Sequence, residues 1–172
     1  SINNNVITQN TSSYSGSSAI WGISPYVALN NNNIFGNDTT YELYDNQGIG
    51  VADLDSESNW WGTTDETIIQ TKIYDWTDDG TKQVVDYTPL LSSPHTTAPP
   101  SPPDNVAAQT GPTSIQLAWS ANPESDIIGY KVHYDTDAAG YPYAYSTDVG
   151  NVTSHTLSSL NTGTTYYTAI SA

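Results

Sequence analysis

The chain has 172 residues, enough for one large domain or two small ones. Eighteen acidic residues stand against three lysines and no arginine, a formal charge of -15. That balance sets aside nucleic acid and anionic membranes as partners, since both need clustered cations, and leaves cations or neutral sugars. Without cysteine no disulfide can staple the fold. The lack of methionine, with the abrupt start "SINNN", suggests a processed chain or a fragment. No apolar run reaches the length of a membrane span, so no membrane insertion is expected of this segment. The polar Asn/Thr/Ser-rich composition predicts an extracellular location, at a cell surface or in a secreted matrix.

The first half contains a repeat. Ile2-Asn3-Asn4-Asn5-Val6-Ile7-Thr8-Gln9-Asn10 aligns with Leu29-Asn30-Asn31-Asn32-Asn33-Ile34-Phe35-Gly36-Asn37 at an offset of 27 residues. A looser third copy begins near Ile49 and runs through Leu54 into Asn59-Trp60-Trp61. A chain coiling into parallel rungs must turn sharply at the same place in each rung. Asparagine tolerates the left-handed conformation such turns need, and its amide can bond a copy stacked above it. No period of 3.6 residues survives across these Asn and Gly clusters, so helices are not expected there.

Trp60 and Trp61 are adjacent in an extended segment and must point to opposite faces. They cannot form one flat surface for a sugar, so they read as a structural cap with Asn59, one ring inward and one pinning the chain that follows. Residues 63–91 are expected to cross the open end, burying Ile68, Ile69, Ile73, Trp76, Val84, Val85 and Tyr87.

These rungs, followed by Asn59-Trp60-Trp61-Gly62, Ile73-Tyr74-Asp75, Gly80 and Val85-Asp86-Tyr87-Thr88-Pro89-Leu90, resemble the C-terminal end of a right-handed parallel β-helix over residues 1–91. Five prolines between Ser92 and Asn105 predict a semi-rigid linker at 92–103.

Downstream, Pro103, the alternating Ile115-Gln116-Leu117-Ala118-Trp119, the Tyr130-Lys131-Val132-His133-Tyr134 run and Leu160 to Tyr166 resemble a fibronectin type III domain over 104–172. The resemblance implies a tyrosine corner at Tyr166 and an immunoglobulin-like sandwich of seven strands. The chain stops at the end of the sixth. The fold class expected is therefore all-β: a β-helix end with its cap, plus a sandwich lacking its last strand.

Chemistry is sparse. There is no G-x-S-x-G, and His95, His133 and His155 fall in the linker or on strand positions without a partner nucleophile, so no catalytic residue is assigned. Aspartate pairs Asp53/Asp55, Asp78/Asp79 and Asp135/Asp137 are minimal starts of a calcium site. Asp53 and Asp55 share one side of a strand, a spacing permissive for carboxylate-pair catalysis. Trp21, Tyr141, Tyr143 and Tyr145 are candidate carbohydrate-stacking groups. Asn10, Asn37 and Asn151 open N-glycosylation triplets.

The expected role is a non-catalytic structural or adhesive segment of a surface or matrix protein. Its partners would be copies of itself or neighbouring surface proteins, with filament assembly by strand donation as the sharper form. The alternative is a fragment of a polysaccharide-binding or polysaccharide-degrading β-helix protein, to which the β-helix resemblance also extends.

Overall fold

A computed structural model describes every residue of the chain except Pro25. The chain divides into two compact units, Ser1–Pro99 and Pro100–Ala172.

In the first unit the strands are short: β1 (Ile2–Asn3), β2 (Val6–Ile7), β3 (Ser18–Trp21), β4 (Leu29–Asn30), β5 (Asn33–Ile34), β6 (Tyr41–Tyr44) and β7 (Leu54–Asp55). The helix α1 (Glu66–Thr71), β8 (Ile73–Tyr74) and β9 (Val85–Asp86) follow. All named strand pairs are parallel and join one pass of the chain to the next: β1 with β4, β2 with β5, β3 with β6 and then β8, and β7 with β9. Strands of two residues suffice because sharp corners separate them and side chains alternate at each step. The inward residues Leu29, Ile34, Leu43, Leu54, Trp61, Ile69, Ile73 and Val85 form one core inside the coil.

The corners repeat as the sequence predicts. Asn4, Asn31 and Ser58 all adopt φ between 55 and 59°. The residue after each of them, Asn5, Asn32 and Asn59, joins a ladder of side-chain amides whose members lie 27 residues apart.

The segment 63–91 differs from its expectation. It does not merely cross the open end, because β8 and β9 extend the parallel pairing of β6 and β7 by part of a further pass. This further pass takes the backbone hydrogen bonds that a bare last rung would leave open. Ile69, Ile73 and Val85 are buried, but Ile68, Trp76 and Val84 stand exposed. Ile68 lies on the outer side of α1, a helix of six residues with Asp65 capping its start by accepting from the Thr67 N–H. Its helical form was not foreseen.

The second unit comprises β10 (Ala107–Thr110), β11 (Ile115–Ala118), β12 (Tyr130–Asp135), β13 (Tyr145–Gly150), β14 (Ser154–Leu157) and β15 (Tyr167–Ser171). Two antiparallel sheets, ordered β10-β11-β14 and β13-β12-β15, face each other as a sandwich. Leu117, Trp119, Tyr130, Val132 and Leu157 fill the space between, with Ile115, Tyr134 and Ile170 packed around them. Period-two alternation puts these residues inward. Apart from the six residues of α1, the regular structure of the chain is β.

Candidate functional site

The amide ladder dominates the first unit. Asn32 Oδ1 accepts from both the backbone N–H and the side-chain amide of Asn5, each at 3.0 Å. Asn59 Oδ1 accepts from Asn32 in the same two ways, at 2.9 and 3.1 Å. A second ladder joins Asn10 to Asn37 at 2.9 and 2.8 Å. Asn33 instead holds the proline-rich segment: its Oδ1 accepts from His95 N at 2.6 Å and its Nδ2 donates to His95 O at 3.2 Å.

The glycosylation triplets fare unequally. Asn37 is buried, and its amide nitrogen donates to Ile7 O, Phe35 O and Glu42 Oε2. A glycan there would replace one of the amide hydrogens that serve these internal bonds. Asn10 and Asn151 are exposed, with Asn10 Nδ2 donating within the second ladder.

Trp61 is buried in the core, whereas Trp60 is half-buried and carries the backbone bonds Ile34 N–H to Trp60 O and Trp60 N–H to Asn32 O. Gly62 follows with φ of 78°, and a Cβ there would lie 2.8 Å from Phe35 Cβ. Only glycine fits this corner.

Trp21 lies at the end of a stack on the outer face of β3, β6 and β8. Its ring centroid lies 4.1 Å from that of Tyr44, and Tyr44 lies 4.3 Å from Tyr74, both pairs stacked with nearly parallel planes. Tyr41 meets the edges of Tyr44 and Tyr74. One face of Trp21 is therefore already occupied by a neighbouring ring.

Asp137, Tyr141 and Tyr143 fall on the connection between β12 and β13 in the second unit, with Asp135 ending β12 and Tyr145 opening β13. Asp135 accepts from Thr136 N and Ala144 N at 2.7 and 2.6 Å, and these bonds hold its carboxyl below the ordinary 3.8. Tyr143 OH accepts from Gly140 N, Tyr145 stacks on Tyr134, and Tyr141 projects with 88 % of its surface exposed. Asp79 binds Thr81 through both N–H and hydroxyl, while Asp78 accepts from Asp75 N. Asp55 accepts from Asn30 Nδ2. Among the described residues no three His, Cys, Asp or Glu side chains converge to hold a metal ion.

Glu42, Asp45 and Asp75 are the buried carboxyl residues of the first unit among those described, and burial shifts the first two. Desolvation raises Glu42 above its ordinary 4.5, against the lowering effect of Asn37 and Lys72. Burial likewise raises Asp45, whose Oδ2 has no hydrogen-bond partner.

A cleft of about 360 Å³ opens beside the last pass, lined in part by Trp76, Val84, Tyr87, Asp53, Glu66 and Asp86. Burial raises the Tyr87 hydroxyl, as do the negative charges of Glu66 and Asp75. Hydrophobicity alone places Trp76 and Val84 inward, whereas the structure sets both at the surface beside this cleft. Their setting among Asp75, Thr77, Asp78 and Asp79 is the signal that could have placed Trp76 at the surface.

The second unit has the architecture of an immunoglobulin-like sandwich, and its corner is diagnostic: Tyr166 OH accepts from Asn161 N at 3.1 Å, while Thr162 Oγ1 donates to Pro112 O. Residues 101–172 match the fibronectin type III domain family. Such domains are commonly structural or adhesive segments, are frequently extracellular and often mediate protein–protein interaction. Among curated proteins, none matches the chain. No helix of the described residues is long and apolar enough to cross a membrane.

Proposed function

We propose that the chain is a non-catalytic structural or adhesive segment of an extracellular surface or matrix protein. In this reading residues 1–91 are the capped C-terminal end of a right-handed parallel β-helix, 92–103 a proline-rich spacer and 104–172 a fibronectin type III domain that provides contact or spacing. The Asn5–Asn32–Asn59 ladder carries the proposal, because it commits polar side chains to bonds between successive passes. Amides used this way stiffen a coil and are withdrawn from chemistry.

The test has two parts. Light scattering at several concentrations measures native mass: growth with concentration supports a self-assembling subunit, and a constant monomer mass removes self-assembly while leaving adhesion. Incubation with neutral and acidic polysaccharides, assayed for new reducing ends and for unsaturated products, tests the non-catalytic claim. Either product overturns it in favour of a polysaccharide-degrading protein.

A second reading, a polysaccharide-binding segment, is favoured by one observation: Trp76 stands half-exposed on the wall of a cleft rather than in the core.

A further inference from the structure

The cleft beside β9 combines an apolar wall, a volume suited to a small molecule and a polar lining without a cationic side chain. Its wall is aromatic and aliphatic, with Trp76 52 % and Val84 39 % exposed and Tyr87 half-buried beside them. A tryptophan held at a surface gives up the burial that its size would otherwise provide, and an indole beside an apolar neighbour offers a flat face with a polar edge. Its volume, about 360 Å³, falls in the range of small-molecule sites.

The polar lining distinguishes between ligands. Asp75 accepts from Gln70 Nε2, Thr77 N and Oγ1, and Val85 N, while Asp86 accepts from Thr88 N and Oγ1. These two carboxylates are thus tied into an internal network of amide and hydroxyl groups, which is unlike a bare anionic trap. Asp53 and Glu66 remain on the rim as acceptors. Lysine, arginine and histidine are all absent from the lining, so nothing there offsets a ligand's negative charge.

We propose that this cleft binds an uncharged saccharide unit, its C–H face on the Trp76 indole and its hydroxyls donating to the rim carboxylates and sharing bonds with the Gln70, Thr77 and Thr88 groups. Uronic acids are rejected by the four surrounding carboxyls. The proposal rests on the polysaccharide-binding reading and gives it a location. It also supplies the flat platform that Trp60 and Trp61 do not form.

The experiment titrates the full chain with cellohexaose, mannohexaose and chitohexaose, and with hexagalacturonate as the acidic comparator, following heat and the indole N–H signals. The Trp76 signal is assigned by its loss in Trp76→Phe. At least one neutral oligomer is expected to bind and to move that signal. Trp76→Ala should weaken binding about tenfold or more, Asp53→Asn should weaken it less, and hexagalacturonate should not bind. Thermal unfolding of both variants checks that the fold is retained, and Trp76→Phe, which keeps a ring, should restore part of the affinity lost in Trp76→Ala. Absence of binding by all three neutral oligomers up to about 10 mM overturns the proposal. So does binding that Trp76→Ala leaves unchanged, which would move the saccharide elsewhere on the chain and leave the general binding reading standing. A tetra-arginine peptide shifting the Trp76 signal where no sugar does would also overturn it, making the cleft a cation site. None of these outcomes bears on the structural role, which the native mass tests separately.

Discussion

One oxygen of Asn59 receives two donors from Asn32: the backbone N–H at 2.9 Å and the side-chain amide at 3.1 Å. Both residues are fully buried, so the pairing cannot be replaced by water without opening the corner.

Replacing Asn32 should therefore be costly. In Asn32→Ala the donors of Asn5 lose their acceptor, and Asn59 Oδ1 loses the side-chain donor. Asn32 itself is fully buried, and losing the bonds of its amide should cost about 1–3 kcal/mol in all. Asn32→Asp should be worse, because a carboxylate has no hydrogens for Ile2 O, Asn30 O or Asn59 Oδ1 and would face the last two as a buried charge. Urea unfolding of the two variants gives the order directly; equal stability of Asn32→Asp and the parent would refute it.

The two neighbouring tryptophans should separate clearly. Trp61→Ala empties a core position and is expected to cost about 3–5 kcal/mol, with Trp60→Ala markedly milder because that ring is half-buried. Gly62→Ala should be destabilising by about 1–3 kcal/mol, because the left-handed backbone and Phe35 both oppose a Cβ. Thermal melts of the three single variants test the ranking.

Glu42 sets a pH dependence for the first unit. Its folded-state carboxyl titrates above the ordinary 4.5, so the native state favours the protonated form. Stability from this group is fully present below 4.5 and is lost as pH rises through the raised value. Glu42→Gln stays neutral and can still accept from the Asn37 amide. It should melt higher than the parent at neutral pH, with the two curves converging in acid. A difference that does not vary with pH would remove the role of Glu42.

Asp135 behaves in the opposite sense. Its carboxyl lies below the ordinary 3.8 because Ala144 N and Thr136 N donate to it, so its contribution is present above 3.8 and disappears as pH falls through the lowered value. Asp135→Asn should reduce the melting temperature of the second unit at neutral pH and flatten its acid limb. Amide exchange at Ala144 should accelerate, which locates the effect in the turn that carries Tyr141.

The 27-residue offset was legible because it is written in residue types with a single physical use: Asn4 and Asn31 take the left-handed corner, and Asn5, Asn32 and Asn59 take the ladder. The sandwich core was legible for a similar reason, since Ile115, Leu117 and Trp119 alternate over a strand long enough to show a period. The last pass was less so. Strands of two residues, such as Ile73–Tyr74 and Val85–Asp86, are too short to display alternation, and so Trp76 and Val84 could not be told from core residues by pattern. Nor could the stack of Trp21, Tyr44 and Tyr74 be read from the sequence, because their unequal spacing only becomes a column once the passes are in register. Asn37 illustrates the remaining gap: a triplet motif says nothing about whether its amide is already engaged.

Two columns bound at a common offset also restrict how the coil can change length. A single residue inserted between Asn32 and Asn37 would keep one column in step with its neighbours and throw the other out, since Asn10 meets Asn37 while Asn5 meets Asn32. Small insertions are thus confined to arcs that carry neither column, such as 11–17 or 45–53. Growth or shortening through the corners themselves has to proceed by whole turns, so the length of the first unit's coil is quantised much as a crystal's is by its unit cell.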